Sequence, residues 1–368
     1  MNTSSTNTSP HRARRDRLAA RLGEANLDAY WVSGLPSIRY LAGFTGTYAQ
    51  LLITREGTLF ITDGRYQEQV ESEVSECEVK IFRNRTWPEV FAEEIRERGW
   101  KRIGFEARQL TVEGFSKARE AAADSVHWEP ISSWVEELRV VKDTTEIEIL
   151  KRSGAVADRV LEAILPELRE GITEKQVVRR MMNLFWEHGA KGPSFDLIVL
   201  FGARSSLPHG QPGDTPLGKG DWVLLDFGGI VDGYCSDCTR TFVFGEPDSL
   251  QRERHDLVMR AHRAAFEVAR PGAVCNEVDQ AARKVLEEAG FGQAFMHGLG
   301  HGVGLEIHEA PRLAPPSREV LQEGMVVTIE PGIYLPGWGG IRLENAVVVG
   351  SGTPEPLTQT DMGIQPFL

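Results

Sequence analysis

The alternation of apolar and polar positions over the first third of the chain predicts a small α/β domain. Residues 1–11 are polar and low in complexity, which predicts a disordered tail. Beyond them, residues at helical spacing alternate with short apolar runs bounded by turn residues, so we expect an N-terminal domain over residues 12–134. The predicted strands are Ala29–Ser33, Ala49–Thr54, Thr58–Thr62, Glu78–Phe82 and Arg102–Phe105, and the predicted helices are Arg12–Asn26, Val90–Arg98 and Val112–Ala122.

The pattern changes after residue 134. Residues 135–143 predict a linker, and a long amphipathic helix follows with Thr144 or Thr145 as its N-cap. The remainder, residues 144–368, predicts a second α/β (α+β) domain that contains an internal repeat. Gly171, Val177 and Gly189 recur at a constant offset as Gly272, Val278 and Gly290, and each set brackets a predicted helix. The repeat predicts two related halves that share a central site.

Two segments of the second domain predict β-hairpins. In residues 222–244, two apolar runs flank Asp232-Gly233, a dipeptide typical of tight turns. In residues 325–349, two apolar runs flank a loop rich in proline and glycine that is centred on Gly337. Both segments interrupt their apolar pattern with acidic residues, which is unusual for buried strands.

The first hairpin places Asp226 and Asp237 on one face in either register that its turn allows. Asp226 faces Asp237 if the turn is centred before Asp232, and it faces Thr239 if Asp232 and Gly233 form the turn. Side chains alternate along a strand with period two, so both registers give a shared face. Two unpaired carboxylates in an apolar hairpin repel each other and lose hydration, which predicts a cation between them.

The second hairpin repeats this arrangement and makes a metal site the better interpretation. A loop centred on Gly337 sets Glu330 opposite Glu344. One such pair could be solvated at the surface, but two in one domain are improbable because buried acids are scarce. Between the hairpins, residues 296–311 hold three histidines in a glycine-rich run, and His301 is the expected metal ligand among them.

Four carboxylates and one histidine exceed the ligands of one tetrahedral zinc ion. They suit two divalent ions with bridging carboxylates, and the oxygen-rich set favours manganese, with cobalt or zinc as alternatives. Two ions roughly 3.5–4 Å apart can hold a bridging water whose pKa is lowered to around neutrality. The residues therefore predict a hydrolytic site.

Composition excludes several classes of function. A chain of 368 residues with 41% hydrophobic content is long enough for two folded domains. The formal net charge of −12 argues against a nucleic-acid partner, whose phosphates would be repelled. No apolar run reaches transmembrane length and the first residues lack an apolar signal segment, so we expect no membrane partner and a cytoplasmic location. The four cysteines are few and irregularly spaced, which predicts reduced thiols.

The motifs around these acids resemble the pita-bread metallopeptidases. That family includes methionine aminopeptidase, aminopeptidase P, prolidase and the metal-free creatinase. The resemblance covers most of residues 140–360 and rests on DFGG, SDCTRT, HGLGHGVGLEIHE, IEPGIY and IRLEN. The N-terminal IRYLAGFTGTYAQLLIT and LFITDGRY are similar to the domain that creatinase, prolidase and aminopeptidase P share. The resemblance therefore implies a pita-bread domain behind a smaller creatinase/prolidase-type α/β domain, in the Xaa-Pro peptidase branch.

The resemblance also implies how the five ligands divide between two metal ions. Asp226 would bind one ion, Asp237 and Glu344 would bridge both, and His301 with Glu330 would complete the other. Divalent ions would then number two per chain, with manganese expected first. The family further implies a homodimer whose N-terminal domain helps to enclose the neighbouring site.

Five residues receive catalytic or substrate-binding roles from the same resemblance. Glu330 would also transfer protons for the attacking hydroxide. His209, His297 and His308 match the family histidines that bind the substrate and the transition state. Arg342, two residues before Glu344, matches an arginine that orients the carboxylate ligands.

The function expected from the sequence is removal of the N-terminal residue from peptides with proline at the second position. An Xaa-Pro bond is a tertiary amide without an N–H, and a metal site does not need that donor. No long insertion that would close the pocket after proline is identifiable, which favours an aminopeptidase P over a dipeptide-restricted prolidase. The remoter alternatives are a creatinase-type hydrolase, which needs no metal, and a non-enzymatic pita-bread binding module, which would have lost ligands.

Overall fold

The computed structural model describes residues 9–365, which divide into two compact units between Arg139 and Val140. Both units mix helices with sheets, in agreement with the expected α/β class. Across the described residues, no helix combines the length and the apolar composition that crossing a bilayer requires.

The first unit is built on one six-stranded sheet. Its strand order is β4-β3-β2-β1-β5-β6, with antiparallel pairs at β1/β2 and β2/β3 and parallel pairs elsewhere. Trp31 is fully buried at the centre of the sheet and packs against Trp87, Phe91 and Trp128. The elements in order are α1 Pro10–Glu24, β1 Ala29–Val32, α2 Leu35–Ala42, β2 Gln50–Thr54, β3 Thr58–Asp63, α3 Gln67–Glu73, β4 Glu78–Phe82, α4 Trp87–Arg98, β5 Arg102–Glu106, α5 Val112–Ala122, β6 His127–Ile131 and α6 Trp134–Val140.

The second unit contains a three-stranded sheet and a five-stranded sheet. The three-stranded sheet has the order β11-β8-β7, the five-stranded sheet has the order β13-β12-β14-β17-β18, and β9/β10 and β15/β16 form two short antiparallel pairs. The elements in order are α7 Thr144–Ile164, α8 Glu174–Glu187, β7 Ile198–Phe201, β8 Trp222–Phe227, β9 Ile230–Val231, β10 Tyr234–Cys235, β11 Cys238–Val243, α9 Ser249–Val268, α10 Cys275–Glu288, β12 Gly300–Gly302, β13 Glu309–Leu313, β14 Val326–Ile329, β15 Gly332–Leu335, β16 Gly339–Arg342, β17 Asn345–Val348 and β18 Glu355–Pro356.

The repeat expected from the sequence appears as two halves with separate apolar cores. One core joins α7 and α8 to β7, β8 and β11, and the other joins α9 and α10 to β14 and β17. Gly171 and Gly272 both have left-handed backbones, with φ of 84° and 91°, and so permit the turn before the helix of each half. Their amides donate to Leu217 O and Leu321 O, in both cases at 2.8 Å. The same local hydrogen bonds therefore recur in both halves.

The N-terminal boundary differs from the sequence expectation because of a capping residue. Residues 1–8 of the expected tail lie outside the described residues, but Pro10 and His11 belong to α1. Ser9 caps this helix by accepting a hydrogen bond from Arg12 N, and Pro10 occupies its first turn. A serine cap followed by proline favours a helix start, so the expected tail of residues 1–11 is corrected at its end.

The segment 135–143, expected to be a linker, is helical over much of its length. Residues up to Val140 belong to α6, which buries Val135 and Leu138. The following helix α7 begins at the expected position, but its cap is Asp143 rather than Thr144 or Thr145. The Asp143 carboxylate accepts from Glu146 N at 3.0 Å and the Glu146 carboxylate accepts from Asp143 N at 3.1 Å. A reciprocal capping box satisfies two backbone donors, which explains why aspartate takes the cap.

One buried acid in the first unit gives that unit a pH-dependent stability. The Glu106 side chain is 2% exposed, and its Oε2 accepts hydrogen bonds from Ser33 N at 2.7 Å and Gly34 N at 2.8 Å. Burial raises the pKa of Glu106 to about 7 although these donors favour the charged form. The folded state therefore binds this proton more tightly than the unfolded chain does.

We expect Glu106→Gln to remove a pH-dependent loss of stability. In the wild type, the raised pKa means that this contribution is fully present below about pH 4.5 and is lost as pH rises to about 7, a change of about 3 kcal/mol. Glutamine resembles the protonated acid, so the stability of the variant relative to the wild type should increase between pH 5 and pH 8. Urea unfolding followed by tryptophan fluorescence measures this difference. Glu97→Gln on α4 is the matched exposed control, and a Glu106→Gln variant that is equally destabilised at every pH would contradict the account.

Candidate metal centre

The first acidic hairpin adopts one of the two registers that the sequence allows. Asp226 on β8 pairs with Thr239 on β11, and Asp232 with Gly233 forms the turn between β9 and β10. Both turn residues have positive φ, 44° and 81°, which matches the twist that a two-residue hairpin turn needs. Asp237 precedes β11 by one residue and is two positions from Thr239, so it lies on the face of Asp226.

The second acidic hairpin has the register expected from its sequence. Ile329 pairs with Asn345 in β14/β17, and Gly332 pairs with Arg342 in β15/β16. The register is continuous across the short break at Pro331, so Glu330 lies opposite Glu344. The break divides the expected hairpin into two strand pairs.

The structure brings the five predicted ligands together. Carboxylate oxygens of Asp226, Asp237 and Glu344 all lie within 4.8 Å of one another, and all three residues are buried. On β12, the Nε2 atom of His301 lies 3.6 Å from Asp237 Oδ2 and 3.4 Å from Glu330 Oε1. His301 therefore links Glu330 to the other three acids.

The hydrogen bonds of His301 leave its Nε2 lone pair directed at the acids. Its Nδ1 lies 3.0 Å from Gly302 O, and a carbonyl only accepts, so Nδ1 carries the hydrogen. Burial lowers the pKa of His301 to about 4, which keeps the imidazole neutral. A neutral imidazole with a fixed tautomer and a free Nε2 is the form that binds metal ions.

The acids carry more negative charge than their surroundings neutralise. Burial, and then repulsion by the neighbouring acids, raises the pKa of Asp237 and of Glu344 well above the usual range. Burial also raises the pKa of Glu330 to about 7. Asp226 Oδ1 is buried and accepts no hydrogen bond from the described residues. Carboxylate lone pairs, an unpartnered buried oxygen and a neutral imidazole fit divalent cations, so these residues could hold the expected metal ions.

Arg342 orients two of the acids. Its Nη2 donates to Asp226 Oδ2 at 2.5 Å, and its Nε donates to Thr239 Oγ1 at 3.1 Å. Thr239 in turn donates from Oγ1 to Glu344 Oε2 at 2.6 Å. One guanidinium therefore contacts Asp226 directly and Glu344 through a hydroxyl, while the catalytic role expected for Arg342 stays a prediction.

His297 belongs to a hydrogen-bonded chain behind the acids. Arg342 Nη1 donates to the Tyr334 hydroxyl at 2.7 Å, and that hydroxyl lies 2.9 Å from His297 Nε2. His297 Nδ1 donates to Gly298 O at 2.7 Å, so Nε2 accepts from Tyr334. Because both ring nitrogens are engaged, these contacts favour an orienting role for His297, while direct substrate binding by it stays a prediction.

A cavity of about 480 Å³ opens onto the acids. His209 and His308 line it together with His297, and the rings of His301 and His308 have centroids 4.4 Å apart. Burial lowers the pKa of His308, which keeps this imidazole neutral. The remaining lining includes the apolar side chains Phe195, Ile198, Pro208, Ile307 and Ala314, and the charged side chains Asp196 and Arg312.

Three residues of the site were not identified from the sequence. Thr239 and Tyr334 could have been found by strand alternation, because each shares a face with an acidic residue two or four positions away. The sequence pattern did not distinguish Arg312, an exposed residue of β13, from other exposed arginines. Only its position at the cavity in the structure does so.

Buried acids, a neutral imidazole and an adjoining cavity are the features of a metal-dependent enzyme. Comparison with known families gives the finer assignment. Residues 148–351 match metallopeptidase family M24, and residues 14–141 match the creatinase/prolidase N-terminal domain. The chain belongs to metallopeptidase family M24, and it is accordingly a metal-dependent hydrolase with a pita-bread domain.

Known relatives match along nearly the whole chain. The Xaa-Pro dipeptidase of Pyrococcus furiosus is 34% identical over 352 residues, which cover 95% of this chain and 98% of that protein. The solved structure of an Xaa-Pro dipeptidase from Bacillus anthracis has a TM-score of 0.93 and 38% identity, covering 96% of this chain and 99% of that one. The X-Pro aminopeptidase from Thermotoga maritima has a TM-score of 0.89 and 33% identity, covering 95% and 99%.

We expect cation binding at this centre to release protons and to tighten as pH rises. The raised pKa values of Asp237, Glu330 and Glu344 mean that the cation-free protein holds protons that a cation must displace. Affinity for Mn²⁺ should therefore increase between pH 6 and pH 8. Calorimetric titration in two buffers of different ionisation enthalpy measures the protons released. A binding constant that is independent of pH, with no proton release, would contradict the shared burial of these acids.

Proposed function

We propose that this chain is a dinuclear-metal exopeptidase that hydrolyses the Xaa-Pro bond at the N-terminus of peptides, in the manner of aminopeptidase P. The observation that carries the proposal is the convergence of three buried carboxylates, the partly buried Glu330 and one neutral histidine on a cavity of about 480 Å³. The relatives support the choice of bond, because proteins named for Xaa-Pro cleavage match this chain almost from end to end.

Two divalent ions would be held by the five converging residues. Asp226 would bind one ion, Asp237 and Glu344 would bridge, and His301 with Glu330 would bind the other. Bound divalent ions act as Lewis acids towards a carbonyl oxygen and lower the pKa of water. We propose manganese as the metal, with cobalt or zinc as alternatives, because oxygen ligands predominate.

Glu330 is suited to move protons in this reaction. Its carboxyl group lines the cavity with Oε1 3.4 Å from His301 Nε2, so it lies within reach of a substrate held there. We propose that it accepts a proton from the attacking water and delivers it to the proline nitrogen as that nitrogen leaves. Thr328 Oγ1 donates to Glu330 Oε1 at 3.1 Å and so fixes the orientation of this carboxyl group.

Histidines that line the cavity would supply hydrogen bonds to the substrate. We propose that His308 donates to the scissile carbonyl oxygen, where negative charge develops in the transition state. His209 would bind the substrate from the facing loop. An Xaa-Pro bond offers no N–H for recognition, so contacts with its carbonyl oxygen have to provide the orientation.

Arg312 favours a second candidate function, which is cleavage restricted to Xaa-Pro dipeptides. Arg312 lines the cavity, and within residues 9–365 no carboxylate forms an ion pair with its guanidinium. A free cation there can bind the C-terminal carboxylate that a dipeptide places directly after proline. The names of the Pyrococcus furiosus and Bacillus anthracis relatives agree with this alternative.

A homodimer and a cytoplasmic location complete the proposal. The homodimer is what the family resemblance implies, and the cytoplasmic location is the expectation from the sequence. We propose peptides with proline at the second position as the substrates of each protomer. Sedimentation equilibrium of the purified protein would test the dimer.

We expect Glu344→Ala to abolish metal binding and Xaa-Pro hydrolysis together. Removing outer partners of metal ligands already costs about 10–100-fold, so loss of a bridging ligand should lower kcat/KM by more than about a hundredfold. Metal content by mass spectrometry and the rate on Ala-Pro substrates are the measurements. Glu323→Ala, an exposed acid just before β14, is the matched control and should keep both properties.

Either of two results would overturn the metallopeptidase proposal. One is near-normal activity of Glu344→Ala. The other is a wild-type protein whose Xaa-Pro cleavage does not respond to added manganese and which binds no divalent ion, as a creatinase-type enzyme or a binding module would behave.

We expect hydrolysis rates on the dipeptide Ala-Pro and the tripeptide Ala-Pro-Ala to distinguish an aminopeptidase from a dipeptidase. The aminopeptidase form predicts cleavage of the tripeptide, whereas dipeptide-only cleavage would overturn it in favour of the prolidase form.

If Arg312 binds the dipeptide carboxylate, Arg312→Met should lower kcat/KM for Ala-Pro by about 10–100-fold, the value of a charge-assisted hydrogen bond. Ala-Pro amide lacks that carboxylate and is the control. An equal loss on both substrates would exclude carboxylate binding by Arg312.

A further inference from the structure

Arg240 is a buried arginine whose hydrogen bonds lie behind the metal centre. It is 2% exposed and stands on β11, three residues after Asp237. Its Nη1 donates to Glu344 O at 2.5 Å and to Thr239 O at 3.1 Å. Its Nη2 donates to Asn345 Oδ1 at 2.9 Å. The guanidinium therefore joins β11 of the first acidic hairpin to the strand that follows Glu344 in the second.

The partners of Arg240 are all neutral. Among the described residues, no carboxylate lies within ion-pair distance of its guanidinium, and the acceptors are main-chain carbonyls, an amide oxygen and hydroxyls. Burying a cation without a counterion costs free energy. The presence of Arg240 at this position is therefore best explained by the groups that its hydrogen bonds hold in place. What they hold includes the main chain of a proposed bridging ligand.

The main chain of Glu344 is fixed at both of its polar groups. Its N–H donates to Thr239 O at 3.1 Å, and its carbonyl accepts from Arg240. The carboxylate accepts from Thr239 Oγ1. Arg240 therefore contacts the main chain of the residue whose carboxylate belongs to the acidic cluster.

The same guanidinium binds a segment near the C-terminus, residues 355–360, which we call the C-terminal strap. Arg240 Nη2 donates to Thr360 O at 3.0 Å and Thr360 Oγ1 at 3.2 Å, with a longer contact of 3.4 Å to Thr358 Oγ1. Thr358 also donates to Asn345 Oδ1 at 2.7 Å. The strap thus supplies half of the hydrogen-bond acceptors of the Arg240 guanidinium group.

Helix α7 holds the other side of the C-terminal strap. The two carboxylate oxygens of Asp158 accept from Gln359 N at 2.8 Å and Thr360 N at 2.9 Å. Gly154 allows the strap to approach the helix, because a Cβ there would lie 2.0 Å from Leu357 O. Asp158 anchors the strap and belongs neither to the acidic cluster nor to the cavity lining.

We propose that Arg240 is a positioning residue that couples docking of the C-terminal strap to metal binding through Glu344. Loss of the strap would leave half of the Arg240 hydrogen bonds unmade and would free the Glu344 main chain to move. By reciprocity, metal ions that fix Glu344 would also hold the strap in place. The inference rests on the proposed metal centre and goes beyond it by assigning a role to residues outside the cavity.

The test measures Mn²⁺ affinity in the full-length protein by electron paramagnetic resonance of the free ion. Arg240→Lys keeps the charge but loses the planar fork, and its Mn²⁺ dissociation constant should rise by at least about tenfold. Asp158→Ala releases the strap without altering a ligand, and its dissociation constant should rise about threefold or more. Glu162→Ala makes the same charge change on the exposed side of α7 and should stay within twofold of the wild type.

Hydrogen exchange of the strap provides the second readout. Mn²⁺ should slow exchange at the amides of Leu357 and Thr360 in the wild type, and this slowing should be smaller in Asp158→Ala. Wild-type dissociation constants in both Arg240→Lys and Asp158→Ala would overturn the coupling, whatever their thermal stability. If Arg240→Lys does not fold, Asp158→Ala and the exchange data decide alone. A wild-type protein that binds no Mn²⁺ would overturn the metal centre itself, and the coupling with it.

Discussion

The structure depends on one electrostatic constraint: the buried carboxylates of Asp226, Asp237 and Glu344 lie within 4.8 Å of one another, and the partly buried Glu330 adjoins them beside His301. Carboxylates in such a place repel each other and cannot recover their hydration, so they need protons or cations. The strand register, the Arg342 fork and the fixed tautomer of His301 all serve to keep these groups together. A fold designed only for stability would place apolar side chains there, so the arrangement is explained by chemistry.

The sequence predicted the convergence of these acids, because the spacing of residues along a strand determines the face on which each side chain lies. Glu330 and Glu344 face each other as a symmetric loop around Gly337 required, and the alternation of side chains fixed the shared face of Asp226 and Asp237. The actual register of the first hairpin could not be chosen beforehand, because both turn positions satisfied the same pattern. In the structure, Asp232 and Gly233 have positive φ values and form the turn, which sets Asp226 opposite Thr239.

Features that depend on local capping or on tertiary contact were less accessible. The start of α1 at Pro10 and the Asp143 cap each depend on which of several suitable residues accepts a backbone hydrogen bond. The hydrogen-bonded chain from Arg342 through Tyr334 ends on His297, which lies outside the strands, so strand alternation gave no position for it. Arg240 is the extreme case, since apart from the adjacent Thr239 its partners lie 104 to 120 positions away in the chain.

The central claim is that the acidic cluster of a pita-bread hydrolase binds two metal ions here. Anomalous diffraction at the manganese absorption edge, from crystals grown with Mn²⁺, tests it most directly. We expect two peaks roughly 3.5–4 Å apart, both in contact with the carboxylates of Asp237 and Glu344. A map with a single peak would contradict the dinuclear site, and a map with no peak at these acids would contradict the metal centre altogether.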